Sequence, residues 1–471
     1  MLHVSTRGEA PAVGFTDALL AGLARDGGLY LPQAWPVLPP DVIAGFAGRR
    51  YADVAKTVMG ALIDGDIPSP DLDCMVEEAY AGFRHPAVCP LVQIGDNLFV
   101  LELFHGPTLA FKDLAMQLLG RLMDHVLKAR GTRATIVGAT SGDTGSAAVE
   151  AFRGLDQVDI FILYPHGRVS EVQRRQMTGV NAPNVHALAI EGTFDDCQAI
   201  VKGLFNHARF RDELRLSGVN SINWARVAAQ AVYYFTAAVA LGGPHRAVSF
   251  SAPTGNFGDV LAGWVAKRMG LPIARLMVAT NANDILYRTL ESGTYAVRAV
   301  TPTTSPSMDI QVSSNFERLL FEAHGREAPA VRRLMDGLAQ SRAFTVAPEP
   351  LARIRAEFDS CAVDGTGVAD EIGATWRDAG YLLDPHTAIS VRAARKLLAD
   401  RPETPVVALA TAHPAKFPDA VERATGRHPA LPAHLADLLH RPERFTRAPN
   451  DQAAVERFIR DHARAVRGAA A

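Results

Sequence analysis

One lysine, Lys112, has unusual neighbours in the stretch FHGPTLAFKDLA at residues 104–115. Apolar residues surround it, a Gly-Pro pair precedes it and an aspartate follows it directly. A lysine on a solvated helix face usually has polar neighbours, so this pattern predicts an amine that points into the protein. Because burial lowers the pKa of an amine, a fraction of the molecules would carry this lysine in its neutral, nucleophilic form. The pattern therefore favours a lysine that does chemistry, such as imine formation with a carbonyl group.

A first polar, glycine-rich loop is GATSGDTGSAA, at residues 138–148. It lies between a predicted strand and a predicted helix, where small residues and free N–H groups favour an anionic ligand. It is not a Walker loop, because no Gly-Lys-Ser/Thr follows, and it lacks the G-x-G-x-x-G of dinucleotide-binding loops. An ordinary strand-to-helix turn with a helix-capping side chain explains the loop equally well.

A second such loop is SAPTGNFGDV, at residues 251–260, which again follows an apolar strand and opens a helix. Gly255 and Gly258 are close enough to permit a cup of converging backbone N–H groups, a geometry that suits phosphate. Asp259 would interact favourably with the helix dipole whatever its function. Taken singly, this loop is also consistent with a simple turn.

A third segment, ATAHPAKF at residues 410–417, follows the apolar run VVALA. Thr411 stands where the predicted strand ends, and Pro414 disfavours a helix at the preceding residue. For His413 we expect a hydrogen-bonded structural histidine, and for Lys416 a solvent-exposed charge, in preference to chemical roles.

The elements that must position these residues alternate between short apolar strands and amphipathic helices. Such alternation predicts an α/β fold with a mostly parallel sheet covered on both faces. Ligands of such sheets bind beyond the carboxyl ends of the strands, where the three polar segments lie. The predicted strands are 134–139, 159–165, 184–190, 247–252, 274–280 and 405–411, and helices are predicted at about 146–152, 169–178, 194–207 and 258–268. The predicted regions are a small, mostly helical N-terminal domain (1–95), an α/β catalytic region of two subdomains (96–428) and a helical C-terminal tail (429–471).

Composition excludes several function classes. The 471 residues are 48% apolar and carry 48 basic and 50 acidic side chains, a balance that favours neither nucleic acid nor an anionic membrane as partner. The four cysteines form no C-x-x-C pair and no metal-ligand set, so we expect a reduced, cytoplasmic setting and no metal. No apolar run is long enough to span a membrane.

The combination of lysine, glycine cup and hydroxyl matches one cofactor. Pyridoxal phosphate needs a lysine for an imine, a cup for its phosphate and a partner for its ring nitrogen. A neutral threonine hydroxyl in that last position would not hold the ring nitrogen protonated, whereas a carboxylate would.

The sequence resembles the threonine synthase family, pyridoxal-phosphate enzymes of the tryptophan-synthase-β-like fold (fold type II). The longer form, with a helical N-terminal domain, is the bacterial and fungal type. The similar blocks occur in family order along nearly the whole chain: 5–32, FHGPTLAFKD, ATSGDTG (139–145), NSINWARVAAQAVYYF (220–235), TGNFGD (254–259), ATNANDI (279–285), SMDIQVSSNFERLLF (307–321), LDPHTAISVRA (383–393) and TAHPAKF (411–417).

The resemblance implies roles for individual residues. Lys112 should bind the cofactor as an imine, with Thr411 facing its pyridine nitrogen. Asp143 stands where shorter family members have an asparagine that contacts the 3′-oxygen of the cofactor, and an ionised aspartate cannot donate that hydrogen bond. The resemblance also implies a phosphate-binding loop of Gly255, Asn256, Phe257, Gly258 and Asp259. Thr140, Ser141 and Thr144 stand where relatives bind the carboxylate and phosphate of the substrate. Asn223 and Arg226 are candidates to bind the substrate phosphate, and Arg226 is also explicable as an ordinary helix ion pair.

The implied reaction converts O-phospho-L-homoserine and water to L-threonine and phosphate. The amine of Lys112 would move protons at Cα and Cβ as general base and acid. Alternatives are a dehydratase or sulfhydrylase of the same fold, a lyase that stops at 2-oxobutyrate, and a non-catalytic small-molecule binder. Intact Lys112 and Thr411 count against the binder, and the long N-terminal domain counts against the dehydratase and sulfhydrylase. We expect a monomer or a homodimer.

Overall fold

Strands and helices alternate along the chain, and the structure, a computed structural model, describes residues 1–467. The strands are β1 (His3–Ser5), β2 (Tyr30–Pro32), β3 (Leu91–Gly95), β4 (Leu98–Glu102), β5 (Ala134–Ala139), β6 (Val158–Pro165), β7 (Val185–Ile190), β8 (Leu216–Ser217), β9 (Val248–Pro253), β10 (Ile273–Thr280), β11 (Thr294–Ala296), β12 (Ala343–Thr345), β13 (Phe358–Ala362), β14 (Val406–Ala410) and β15 (Thr446–Ala448). The α-helices are α1 (Phe15–Ala21), α2 (Pro40–Ala44), α3 (Tyr51–Ile63), α4 (Ser69–Tyr80), α5 (Lys112–Ala129), α6 (Asp143–Phe152), α7 (Glu171–Thr178), α8 (Phe194–Asn206), α9 (Ala208–Leu214), α10 (Trp224–Ala240), α11 (Gly258–Arg268), α12 (Ile285–Ser292), α13 (Phe316–Ala323), α14 (Ala328–Ser341), α15 (Pro348–Glu357), α16 (Gly365–Ala379), α17 (Pro385–Asp400), α18 (Pro418–Thr425), α19 (Gln452–His462) and α20 (Arg464–Arg467).

Two parallel-rich sheets form the centre of the fold. The larger has the order β13-β10-β9-β14-β4-β3, and only its β3–β4 pair is antiparallel. The smaller has the order β15-β7-β6-β5-β8 and is parallel throughout. The α/β prediction is confirmed, and all six predicted strands are present, divided between these two sheets.

Alternating side chains of the larger sheet enter two different cores. Val407 and Leu409 of β14 belong to the core that includes α10 and α11. Val406 and Ala408 belong to a second core with α17. Because successive strand side chains point to opposite faces, this division places helices on both faces of the sheet.

The smaller sheet is covered in the same way. Ile136 of β5 and Ile162 of β6 pack in the core shared with α5 and α6. Val137 and Leu163 pack on the opposite face with α8 and α19. Helix α8 starts at a capping box in which Thr193 and Asp196 each bond the other's backbone N–H, which fixes where it begins.

The N-terminal region contains α1 to α4 and the small β1–β2 pair. Helix α3 packs on α10, and α4 packs on α5. Strand β3 pairs within the larger sheet, although the predicted boundary at residue 95 assigns it to the N-terminal region. The predicted helical tail also contributes β15 to the edge of the smaller sheet, and its residues 468–471 lie outside the described part.

The carboxyl ends of β4, β5, β9 and β14 each lead into one of the segments identified from the sequence. Helix α6 begins at Asp143, about one turn before the predicted start at residue 146. The polar part of that loop is therefore the first turn of a helix. Among residues 1–467, no helix combines the length and the apolarity that crossing a bilayer requires.

Candidate active site

Lys112 is the first residue of α5, and its side chain points inward as predicted, with 8% of its surface exposed. Its Nζ lies 3.5 Å from Oδ2 of Asp143. Burial is the main cause that lowers the pKa of this amine, and the positive charges of Lys416 and Arg226 lower it further, while Asp143 acts in the opposite direction. The environment thus favours a neutral, nucleophilic amine.

The aspartate that follows the lysine, Asp113, is a structural anchor. Its carboxylate accepts hydrogen bonds from the N–H and the hydroxyl of Thr108, at 2.8 and 2.6 Å. Gly106 is required beside it, because a Cβ on that glycine would lie 2.5 Å from the Asp113 Cβ. The Gly-Pro turn is thereby held against the start of α5.

Asp143, at the N-terminus of α6, is the hub of a buried polar network. Its Oδ1 accepts from Nε2 of Gln173 at 2.9 Å and from Nζ of Lys416 at 2.9 Å. Its Oδ2 accepts from the hydroxyl of Ser307 at 3.1 Å and faces Lys112. Burial alone would raise its pKa, but Lys416 and Lys112 bring the pKa well below the usual range. The carboxylate is therefore ionised.

The expectation that Lys416 is a solvent-exposed charge is wrong. Its side chain is 0% exposed and donates to the carbonyl of Thr108 at 2.7 Å and to Oε1 of Gln176 at 3.1 Å, besides Asp143. It ends a 3₁₀ turn, Pro414–Lys416, that directs the side chain inward. The sequence pattern gave no sign of the acidic partner, which lies 273 positions earlier in the chain and is adjacent only in the fold.

His413, by contrast, has the structural surroundings that we predicted. Its Nδ1 accepts from the backbone N–H of Ala415 at 3.1 Å, and its ring meets Phe104 edge-on at 5.3 Å. Burial lowers its pKa to about 4, so the ring is neutral.

The loop between β9 and α11 is a cup of free donors. None of the backbone N–H groups of residues 255–259 donates to a protein acceptor within the described part of the chain. Phe257 has a φ of 64°, a left-handed conformation that is uncommon outside glycine and turns the loop tightly. A run of unpaired N–H groups at the start of a helix is a ready anion site.

The outer side of this cup is held by the segment before α13. The hydroxyl of Ser313 donates to the carbonyl of Gly255 at 2.7 Å, and Nδ2 of Asn315 donates to that of Asn256 at 3.1 Å. Arg318 in turn donates to Oδ1 of Asn315. Since the carbonyls are bonded outward, the N–H groups are left to face the opposite side.

Asp259 supplies a backbone N–H group to this loop, while its side chain is bonded to α10. Its Oδ1 accepts hydrogen bonds from the phenols of Tyr233 and Tyr234 on α10. Burial raises the pKa of the carboxyl to about 6. The side chain thus fastens α11 to α10.

The loop after β5 presents a second set of donors at the start of α6. Oγ1 of Thr140 accepts from the N–H groups of Gly142 and Gly145 at 3.0 and 2.9 Å, which shapes the loop. Within residues 1–467, the N–H groups of Ser141 and Thr144 have no protein acceptor, and both residues are partly exposed.

The two candidates from NSINWAR differ in their surroundings. Asn223 caps α10: its Oδ1 accepts from the N–H of Ala225 at 3.0 Å, and its Nδ2 donates to the carbonyl of Leu19 at 2.8 Å. The oxygen and one N–H of this buried amide are therefore engaged by protein groups, and binding of the substrate phosphate by Asn223 stays a prediction.

Arg226 is a buried cation that has no acidic partner among residues 1–467. Its only recorded bond within the described residues goes from Nη1 to the carbonyl of Val219 at 2.9 Å, and its Nε is buried and unpaired. The alternative of an ordinary helix ion pair is therefore wrong. Burial lowers its pKa to about 10, so it stays charged at neutral pH. A buried, unpaired guanidinium calls for an anionic ligand.

Thr411 follows β14 directly and lies beside the lysine segment. Its backbone carbonyl accepts from the N–H of Phe111 at 2.9 Å, one residue before Lys112. Thr411 is a buried residue, and its side-chain hydroxyl has no protein partner in the part of the chain described. This hydroxyl is available to a ligand that reaches the lysine.

Ser307 connects the cup to the lysine. Its hydroxyl bonds Asp143, and its carbonyl oxygen lies 3.2 Å from where a Cβ on Gly255 would be. Any side chain at residue 255 would therefore press on this segment. The free amine, the free hydroxyl and the N–H cup fit a cofactor that has a carbonyl group, a ring nitrogen and a phosphate.

Sequence reasoning missed the supporting residues of this site. Ser307, Ser313, Asn315 and Arg318 lie in a block quoted only for its family resemblance, and their spacing alone predicts no role. Nothing in the sequence indicated that Gln173 bonds Asp143.

Comparison with known families and proteins agrees with this geometry. Residues 2–80 match the family described as threonine synthase N terminus, residues 89–412 match pyridoxal-phosphate dependent enzyme, and residues 387–459 match threonine synthase, C-terminal. The chain is 55% identical to a threonine synthase of Pseudomonas aeruginosa over 98% of both chains.

Solved structures show the same likeness. A crystal structure described as a PLP-bound threonine synthase from Brucella melitensis is 62% identical, with a TM-score of 0.96 over 98% of this chain and 100% of that one. The yeast threonine synthase structure is 38% identical, with a TM-score of 0.93 over 98% of both chains. The chain belongs to the threonine synthase family of pyridoxal-phosphate-dependent enzymes.

Proposed function

We propose that the protein is a threonine synthase that uses pyridoxal phosphate to convert O-phospho-L-homoserine and water to L-threonine and phosphate. The observation that carries this proposal is the buried amine of Lys112, linked through Asp143 and Ser307 to a loop whose N–H groups have no acceptor among residues 1–467. The chain is also related to threonine synthases over 98% of its length.

The cofactor fits three features of the site. Lys112 would be its attachment point, the N–H groups of residues 255–259 would bind its phosphate, and the hydroxyl of Thr411 would face its ring nitrogen. The bound cofactor supplies an electron sink for the charge left when a proton is removed from the substrate. Asp143 is ionised, so it acts on this group as a hydrogen-bond acceptor and a negative charge.

Arg226 is the cation that we expect to bind the substrate phosphate. A guanidinium held in a buried site, without a competing carboxylate, stabilises the leaving phosphate more than one in water does. The free N–H groups of Ser141 and Thr144 are suited to the substrate carboxylate, since both lie at the positive end of α6. The hydroxyl of Thr140 accepts two bonds and can still donate one.

Lys112 moves the protons. Its amine is both nucleophilic and buried, so it can take one proton from the substrate Cα and one from Cβ. It can then deliver a proton to Cγ after phosphate has left and return one to Cα after water has added at Cβ. Enclosure protects these steps, because water admitted early would divert the substrate to a 2-oxo acid.

Other expectations remain proposals. We propose a cytoplasmic enzyme, a monomer or homodimer, with the regions divided near residues 95 and 428. All four cysteines are free, which is compatible with a reducing compartment.

Product analysis tests the function. The purified enzyme, loaded with pyridoxal phosphate, is given O-phospho-L-homoserine, and threonine, phosphate and 2-oxobutyrate are quantified. Equal amounts of threonine and phosphate are expected. Phosphate with 2-oxobutyrate alone would establish the lyase instead, and no turnover of any substrate despite bound cofactor would favour the non-catalytic binder.

A further inference from the structure

Two buried lysines share the carboxylate of Asp143, and their surroundings differ. Lys416 donates to three acceptors: Oδ1 of Asp143 at 2.9 Å, the carbonyl of Thr108 at 2.7 Å and Oε1 of Gln176 at 3.1 Å. An ammonium group has three N–H donors and no acceptor. The three acceptors therefore match a protonated amine and leave it no free lone pair for chemistry.

Lys112 has a much poorer set of acceptors. Its Nζ lies 3.5 Å from Oδ2 of Asp143, and no other protein acceptor is recorded for it among residues 1–467. Two ammonium groups and one carboxylate would bury a net positive charge, which is costly in a site of low polarity. Loss of a proton from Lys112 removes that net charge, whereas loss from Lys416 would leave one of its three acceptors without a donor.

We propose that Lys416 is a positioning residue, whose ammonium group holds the Asp143 carboxylate in place and keeps Lys112 in the neutral form that its reaction requires. This inference rests on the proposed role of Lys112 as the attachment point of the cofactor. Lys416 itself touches neither reacting atom in this arrangement; it acts through Asp143.

Other charged groups face this network from the surrounding helices. Arg226 on α10 adds positive charge near Lys112, and Asp259 on α11 adds negative charge when ionised. Asp113, beside Lys112 on α5, is within electrostatic reach of Lys416, and His386 on α17 is within reach of Asp143. These groups stay in place when Lys416 or Asp143 is changed, so differences between variants report the network itself.

Charge counting predicts opposite effects for two variants. In Lys416→Met, the Asp143 carboxylate is left with Lys112 as its cationic partner, so the pKa of the Lys112 amine rises. In Asp143→Asn, Lys112 loses its anion and keeps Lys416, so the pKa of its amine falls. Loss of packing alone has no reason to produce two shifts of opposite sign.

Carbamylation of the cofactor-free enzyme by cyanate measures this directly, because cyanate reacts with neutral amines. The rate at which the Lys112 peptide is modified, followed by mass spectrometry against pH, gives the midpoint of its titration. We expect Lys416→Met to raise that midpoint by about one unit or more, which slows modification about tenfold at a pH below both midpoints. Asp143→Asn should lower it, and Lys416→Arg should keep it near the wild-type value.

A lysine control is Lys396→Met, since Lys396 is an exposed residue of α17 whose hydrogen bond within residues 1–467 goes to the carbonyl of Ser360, at 3.4 Å. It should leave the midpoint unchanged. If Lys416→Met does not fold, Lys416→Gln removes the charge and keeps a donor, and serves in its place. An unchanged or lowered midpoint in the charge-removing variant would overturn the proposal.

Borohydride trapping separates this inference from the proposed function. Reduction of the loaded wild-type enzyme should fix pyridoxal phosphate on the Lys112 peptide. Trapping on another lysine would refute the proposed attachment point, whatever the cyanate midpoints are. Trapping on Lys112 with no shift in the charge-removing variant would refute only the role of Lys416.

Discussion

The amine of Lys112 and the carboxylate of Asp143 meet at 3.5 Å although they begin two different helices, α5 and α6. Strands β4 and β5, which precede these helices, belong to different sheets. The pair therefore spans the region between the two sheets. A site built this way depends on how the sheets are placed relative to each other, and both helices pack together in one core.

Replacing the lysine should abolish covalent attachment of the cofactor. In Lys112→Ala, the visible absorbance of the linked cofactor should disappear, and borohydride should fix no cofactor on the chain. Turnover should fall by more than the factor of about 10²–10⁴ typical of one general acid–base group, because the nucleophile is lost as well. Lys267→Ala, on the surface of α11, is the control and should behave as wild type in both absorbance and mass.

A methyl group in the cup should weaken cofactor binding. In Gly255→Ala, the new Cβ would lie 3.0 Å from Cδ1 of Ile310 and 3.2 Å from the carbonyl oxygen of Ser307, so that segment must move. Overpacking of this kind costs about 1–3 kcal/mol. The dissociation constant of pyridoxal phosphate should rise about tenfold or more in a fluorescence titration. Gly365→Ala, where a Cβ meets nothing within 4 Å, should leave it unchanged; equal effects at both positions would contradict the role of the cup.

Much of the framework could be predicted from the sequence, for a physical reason. Runs such as ATIVGA and VVALA are apolar, short and bounded by polar loops, and each forms the predicted strand. Lys112 stood out because a charged side chain among apolar residues conflicts with its surroundings unless it has a function. These signals are local, so one segment is enough to show them.

The supporting network could not be predicted because its members are far apart in the chain. Lys416 pairs with Asp143, and Ser307 reaches the same carboxylate from a third segment. No periodicity or spacing links such residues. Asn223 shows a related limit: an asparagine before a helix is a normal cap, and its nearness to Arg226 in sequence does not give it the same surroundings.

Two buried arginines should respond differently to removal. Within residues 1–467, Arg226 bonds one carbonyl, that of Val219, and has an unpaired Nε and no carboxylate partner. Arg318 bonds two carbonyls, those of Tyr30 and Ile222. In Arg226→Met, removal of a buried charge without a counter-charge should offset the lost bond to the carbonyl of Val219, so the free energy of unfolding of the cofactor-free protein should stay unchanged or rise. Arg318→Met should lower it by about 1–3 kcal/mol, since buried carbonyls lose their donors.

The effects on kcat/KM should have the opposite order, with the larger loss in Arg226→Met and the smaller loss in Arg318→Met. Arg226→Met should reduce kcat/KM for O-phospho-L-homoserine by at least about 10², with the absorbance of the bound cofactor retained, because a buried charged partner of the substrate is lost. Urea denaturation and steady-state kinetics on both variants provide the comparison. A large loss of stability in Arg226→Met, with normal kinetics, would show that the residue is structural.

The stability of the cofactor-free protein should carry a signature of Asp259 between about pH 4 and 6. Burial raises the pKa of this carboxyl from 3.8 to about 6 in the folded chain. As pH rises through this window, the unfolded chain loses the proton first, so ionisation favours unfolding and the free energy of unfolding falls. Below about pH 4 the Asp259 carboxyl is protonated in both the folded and the unfolded chain, and the free energy of unfolding has its full value.

Asp259→Asn removes this titration and keeps an acceptor for Tyr233 and Tyr234. The difference in the free energy of unfolding, variant minus wild type, should therefore increase between pH 4 and 6 and level off above about pH 7. Its expected size is on the order of 1–3 kcal/mol. Asp113 also titrates near pH 6, but it does so in both proteins and cancels in the difference. Urea denaturation at several pH values measures the difference, and a flat or falling curve would mean that the folded protein accommodates ionised Asp259 without cost.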